Sequence, residues 1–184
     1  MSFADELRSF NKGEENNNVN LNRDVQLFIN LLKKACREAN SSNRRSVSIY
    51  CIMWQDDGYT ETGFIEQLPT VKQVAEESKL FNKARHTNYS RFNNVSTGNY
   101  EQRLYSQLVA FEPKRLDYAK RLRQLLNNEL SKLGFSTYKA NLIELDDIYI
   151  IHNRKANMFT GTVSESLSTR AAGKLYTINL QATW

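Results

Sequence analysis

The chain has 184 residues, 40% of them hydrophobic and 24% charged, with a formal net charge of +5. That length and apolar content predict one soluble domain, since a chain near this size buries roughly 70% of its unfolded surface. A wholly disordered chain is not expected, and no apolar run reaches the ~18–20 residues of a membrane helix.

The first residues, Met1 to Glu6, carry no basic stretch followed by an apolar one, so no signal peptide is read and a cytoplasmic location is expected. The two cysteines, Cys36 and Cys51, form no metal-ligand spacing and read as reduced core thiols. Asn is abundant, with 20 residues, while Pro (2) and Gly (7) are scarce. That bias fits an AT-rich coding source such as a low-GC bacterium, a plasmid or a phage.

In chain order, Phe3, Leu7 and Phe10 share a helical face over residues 2–10, and the polar, Asn-rich residues 11–20 read as a linker. Residues 22–39 predict a strong helix. Asn22 is the candidate N-cap, and Val25, Phe28, Ile29, Leu32, Ala35, Cys36 and Ala39 form its apolar stripe. Residues 46–54 have the β-branched and aromatic content of a strand, Asp57-Gly58 reads as a hairpin turn, and residues 59–66 return as a second strand. Pro69 opens a helix to about residue 84, with Val71, Val74 and Ala75 inward. Residues 86–99 read as a long loop, followed by a helix over 100–111 and another over 113–133 that Gly134 stops. Strands are predicted near 135–143, 147–152, 158–163 and 174–182, separated by Asp146-Asp147, Asn153–Asn157 and the Ser/Thr-rich stretch 164–173. This order predicts an α+β fold: an antiparallel sheet with about four helices packed mainly on one face and a β-rich C-terminal third. The expected organisation is an arm and linker over 1–20 and a single α+β domain over 21–184.

The charge is unevenly placed. Residues 79–123 hold ten basic and three acidic side chains, against fifteen basic and seventeen acidic in the rest of the chain. Arg and Lys so gathered suit phosphates, whose neutralisation releases counterions. The stretch 83–94 adds aromatics to the cations, the combination that stacks bases and pairs phosphates. The candidate nucleic-acid contacts are therefore Lys83, Arg85, Tyr89, Arg91, Phe92, Lys114, Arg115, Lys120, Arg121 and Arg123. The hairpin 55–66 is opposite in sign, with Asp56, Asp57, Glu61 and Glu66 as a candidate protein-binding surface or nucleic-acid mimic.

Residues 70–77 resemble the first helix of a bacterial helix-turn-helix, and Tyr89-Ser90-Arg91-Phe92 the approach to a recognition helix. The stretch between them is too long for the usual turn.

Catalytic signals are sparse. His86, beside Arg85 and Tyr89, suits a general base in metal-independent RNA cleavage, and His152 is the only other histidine. Glu144, Asp146 and Asp147 resemble a divalent-metal cluster. No phosphate-binding glycine loop, dinucleotide fingerprint, nucleophile elbow or zinc-protease motif is present, so no cofactor and no metal are expected. The reading is a small intracellular, non-enzymatic binding protein whose basic middle contacts nucleic acid or a ribonucleoprotein, with a further protein partner and no membrane contact. One concrete version is a phage or mobile-element inhibitor of a host defence nuclease, in the manner of anti-CRISPR proteins. The alternatives are a ribonuclease using His86 and a helix-turn-helix-like DNA-binding regulator.

Overall fold

The computed structural model describes residues 3–56, 59–76, 99–105, 107–156, 160 and 162–184. For 3–19, 54–56, 59–60, 99–100, 154–156 and 163 the description is of the backbone only. Helix α1 runs without a break over Phe3–Ser41, so residues 11–20, expected as a linker, are helical and Asn22 is not an N-cap. Asn costs only about 0.7 kcal/mol per helical position relative to Ala, and a helix already nucleated gains a hydrogen bond with each added residue. The nucleus is the apolar stripe: Leu21, Val25, Phe28, Ile29, Leu32, Ala35 and Ala39 are all buried.

Strands β1 (Ser46–Asp56) and β2 (Tyr59–Ile65) form the expected hairpin, with Trp54 opposite Glu61 and Asp56 opposite Tyr59. A short helix, α2, covers residues 71–76 within the described part of the chain. Thr70 and Gln73 cap it reciprocally. The Gln73 N–H donates to Thr70 Oγ1 at 3.3 Å, and the Thr70 N–H to Gln73 Oε1 at 2.8 Å. Val74 and Ala75 are buried, as the periodicity predicts.

The segment expected as a helix over 100–111 is not one. It forms β3 (Asn99–Arg103), a turn, and β4 (Ala110–Phe111). Leu104 and Leu108 have helical spacing, yet each fills a different apolar cluster. Three α-helices are therefore present among the described residues, rather than about four. The third, α3 (Leu116–Leu130), follows a single 3-10 turn at Pro113–Arg115. The helix ends earlier than the stop expected at Gly134: its C-cap is Ser131, tight turns continue through Leu133, and Gly134 follows at φ 73° in the left-handed region.

The strands predicted near 135–143, 147–152 and 174–182 belong to two long ones, β5 (Thr137–Ala156) and β6 (Val163–Thr183), while most of the strand predicted near 158–163 lies outside the described residues. Asp146-Asp147 and residues 164–173, expected as separators, lie inside strands. The carboxylates of that Asp pair find cations on other strands, which removes the usual reason for Asp to turn the chain.

The result is a six-stranded antiparallel sheet of order β2-β1-β6-β5-β3, with β4 on β6. One face carries Val47, Ile49 and Cys51 of β1, Ala140 of β5, and Ile178, Leu180 and Ala182 of β6 in a single core with α1 and α3. Asn127 of α3 also bonds the backbone at Ala140, accepting its N–H at 2.9 Å and donating to its C=O at 3.2 Å. That amide caps the outer edge of β5 at this point.

The chain from 99 to 111 clasps the β5–β6 ribbon. β3 pairs with β5 from Tyr149 to Asn153, the chain turns, and β4 pairs with β6 at Tyr176 and Thr177. Beyond Tyr50 and Asn179, β1 leaves β6, and residues 107–109 fill the gap: the Met53 N–H donates to Gln107 C=O and the Val109 N–H to Cys51 C=O. Leu108 packs with Ile52, Leu145 and Leu175 in a second cluster.

Arg103 and Asp147 lock the crossing. Asp147 is 1% exposed, and its Oδ2 accepts both the Nε (2.7 Å) and an Nη N–H of Arg103. Opposite Asp147, Gly173 sits at φ 123° beside a β-bulge. Only glycine adopts that backbone freely, and the bulge bends the ribbon under the clasp.

Candidate nucleic-acid interface

Helix α3 buries Ala119, Leu122, Leu126 and Leu130, a spacing that turns Lys120, Arg121 and Gln124 outward. The 3-10 turn before it presents Lys114 and Arg115. Packing of α3 against α1 brings these side chains to Asn20, Leu21, Arg23 and Asp24 across a groove of about 670 Å³. Its walls carry five cations (Arg23, Lys114, Arg115, Lys120 and Arg121) against two carboxylates (Asp24 and Asp117). The positive end of the α3 dipole lies at the same place.

Tyr118 forms the floor. Its hydroxyl donates to Asp24 Oδ2 at 2.8 Å, tying α3 to α1. The Arg115 guanidinium lies over its ring, 5.3 Å from the centroid, with the Phe111 ring 6.1 Å away. Arg115 is thereby held in place while remaining exposed. Lys114 pairs with Glu112 (2.7 Å), whose carboxyl this hydrogen bond holds below its ordinary range. The looser pairs are Lys120 with Asp117 (3.7 Å) and Arg23 with Asp24 (3.8 Å), and such exposed pairs are weak. Arg121 has no ion pair among the described residues.

Burial, and then the hydrogen bond to Asp24, pushes the Tyr118 hydroxyl up to about 12 from an ordinary value of 10. The protonated form is the one favoured by folding. The stabilising bond is thus complete below pH 10, and its contribution is lost as pH rises from about 10 to about 12. In an absorbance titration of tyrosinate, Tyr118→Phe removes a late-ionising tyrosine, and Asp24→Asn lowers the pH at which that tyrosine ionises. An unchanged late phase in both variants contradicts the assignment.

Of the expected nucleic-acid contacts, Lys114, Arg115, Lys120 and Arg121 converge on this groove. Arg123 does not line it; it is half-buried, and its C=O accepts from Asn127. Arg103, one of the ten basic residues of the 79–123 stretch, is used in the clasp instead. Lys83, Arg85, His86, Tyr89, Arg91 and Phe92 lie outside the described residues, as does the second half of the helix-turn-helix likeness. Sequence reasoning missed Arg23, Asp24 and Tyr118 as groove residues. Nothing in one dimension links residue 23 to residues 114–121.

The acidic hairpin is only partly available. Glu61 is exposed, Glu66 pairs with Arg44 at 2.7 Å, the Asp56 backbone ends β1, and Asp57 lies outside the described residues. The candidate metal cluster is split. Glu144 and Asp146 both bind Lys174 and push its pKa up, whereas Asp147 alternates to the opposite sheet face and serves Arg103. His152 sits in β5 opposite Tyr100 and Leu167. Burial raises the thiols of both Cys51 and Cys36, so neither is a thiolate near neutral pH.

A second surface cavity of about 770 Å³ lies just past the C-terminal end of α1, lined by Arg44, Arg45, Lys139 and Tyr138 among others. Glu66 neutralises one of its three cations, as Glu112 neutralises Lys114 in the α1–α3 groove. Along the chain, no helix among the described residues is long and apolar enough to cross a membrane. No family model, curated protein or solved structure matches the chain.

Proposed function

We propose that the protein is a small intracellular binding protein that holds nucleic acid, free or within a nucleoprotein, along the α1–α3 groove. The observation carrying this reading is the convergence of Arg23, Lys114, Arg115, Lys120 and Arg121 on one open groove, with Arg115 and Arg121 outside any ion pair among the described residues. A groove with excess cations tracks a phosphodiester backbone and gains affinity from released counterions. Arg115, braced on Tyr118, is the side chain best organised for a phosphate, because less freedom is lost when it binds. The reading is one of binding without catalysis, and it extends to inhibition of a host defence nuclease by a phage or mobile-element protein. There the groove holds guide or target strand while Glu61 on the hairpin faces a cationic surface.

The test is fluorescence anisotropy with labelled single-stranded RNA, single-stranded DNA and duplex DNA across a salt series. The expected result is saturable binding whose logarithm falls steeply and linearly with the logarithm of salt. Absence of binding to all three at low salt overturns the proposal. Cleavage of the RNA in EDTA replaces it with the ribonuclease reading.

A further inference from the structure

The cavity past the end of α1 lies on the sheet face that the helices leave open. Val47, Ile49, Ala140, Leu180 and Ala182 face the core shared with α1 and α3. Strand alternation therefore turns their chain neighbours to the other side. There Ser46 of β1, Thr183 of β6 and Thr137 of β5 stand in one row across three strands, and Ser48, Gln181 and Lys139 in the next. All six line the cavity of about 770 Å³, and all but Thr183 are exposed. The array is organised from below. Asn179, 2% exposed, donates to Ser48 Oγ and to the Ile49 C=O, both at 3.1 Å, and accepts from Gln181 Nε2 at 2.9 Å. The Ser48 oxygen is thus engaged as an acceptor, which leaves its O–H available as a donor. The hydroxyls of Ser46, Thr137 and Thr183 add donors to the same face.

Charge then selects the ligand. Arg44 and Glu66 pair at 2.7 Å, whereas Arg45 and Lys139 have no ion pair among the described residues. Glu66 is the one carboxylate among the described residues that line the cavity. Hydroxyl donors with uncompensated cations fit oxyanions, and phosphate above all. Arg45 borders β1 and Lys139 stands on β5, two inter-strand spacings away, or roughly 10 Å. That separation is wider than one phosphate group and suits different phosphates of a strand laid across β1, β6 and β5.

We infer that this sheet face is a second nucleic-acid site, which binds a single strand through its phosphates, so that one copy of the protein holds two strands at once. The inference takes the identity of the polymer from the reading proposed for the α1–α3 groove, but the site is separate from that groove. The α1 segment from Leu21 to Ser41, roughly 30 Å long, lies between the two, and the sheet stands between them as well. A short oligonucleotide therefore fills one site or the other. Two separate strands are bridged, and a strand long enough to reach both sites gains avidity from their linkage.

The test counts short single-stranded RNA oligonucleotides bound per chain, by native mass spectrometry and by titration above the dissociation constant. The wild type is compared with a groove variant (Arg23→Glu, Arg115→Glu, Arg121→Glu) and a face variant (Arg45→Glu, Lys139→Glu). A control, Lys33→Glu with Lys34→Glu, makes the face variant's charge change on exposed positions of α1 outside both cavities. All the replaced side chains are exposed, so the chains are expected to fold, and circular dichroism verifies that. The expected result is two oligonucleotides on the wild type and the control, and one on each of the other variants. A single oligonucleotide on the wild type that the face variant keeps and the groove variant loses overturns the inference and leaves the groove reading standing. A single one that the face variant loses and the groove variant keeps supports the sheet-face site and overturns the groove reading. No binding by the wild type overturns both. Equal losses in the control and the face variant also overturn the inference, since diffuse attraction then explains them.

Discussion

Charge reversal at three groove positions together, Arg23→Glu, Arg115→Glu and Arg121→Glu, is expected to weaken nucleic-acid binding on the order of 100-fold or more at moderate salt. The three residues line one groove from two helices, and the change turns three cations into anions beside Asp24 and Asp117. Each lost phosphate contact also lowers the slope of log affinity against log salt by about one unit, so the slope is a second readout. Arg123→Glu supplies the control. It sits on the same helix and makes the same change in net charge per substitution, but it does not line the groove, so a much smaller loss is expected. Equal losses for Arg123→Glu and for Arg121→Glu alone contradict a defined groove and leave only diffuse attraction. The groove side chains are exposed or nearly so, and their replacement is expected to change stability by only about 0.5 kcal/mol, which a melting curve checks.

Arg103→Met is expected to destabilise the fold by about 3 kcal/mol, a drop in melting temperature of roughly 2–4 °C per kcal/mol for a chain of this size. Asp147 is 1% exposed, and its Oδ1 has no hydrogen-bond partner among the described residues. Arg103 supplies both bonds to Oδ2, so its loss leaves a buried carboxylate with neither oxygen paired among the described residues. The figure sits at the low end of the range for broken buried pairs, because Arg103 itself is 38% exposed. Replacing both partners, Arg103→Met with Asp147→Leu, removes the orphaned charge and is expected to recover most of the loss. Urea unfolding of the two single variants and the double measures the coupling. A single-variant loss below about 1 kcal/mol is incompatible with the clasp as a stability element.

The pair also illustrates why part of the fold stays hidden in one dimension. Local patterns identify an element when they are long and periodic. The α1 stripe from Val25 to Ala39, the antiparallel pairing of β1 with β2, the inward face of α2 and the buried face of α3 are all legible that way. Short patterns fail when a distant partner overrides them. Leu104 and Leu108 have helical spacing, but the outer edge of β5 and the gap between β1 and β6 both lack backbone partners. Pairing with them makes Asn99–Arg103 and Ala110–Phe111 extended and adds a bridge at Leu108. Asp146-Asp147 reads as a turn until Lys174 and Arg103 arrive from other strands.

For the candidate site, the sequence by itself determined the charge excess of residues 79–123 and four of the groove cations, because composition and helical phase are local quantities. The tertiary structure alone decided which cations share a surface. It added Arg23 from α1, set Arg115 on Tyr118, withdrew Arg103 into the clasp and left Arg123 aside. It also placed Glu144 and Asp146 on the sheet face opposite Asp147, which no spacing rule for acids anticipates without knowing where the strand runs. The physical reason is common to all of these. A side chain's charge belongs to the residue, but its partner, its exposure and its direction belong to whatever the fold brings beside it.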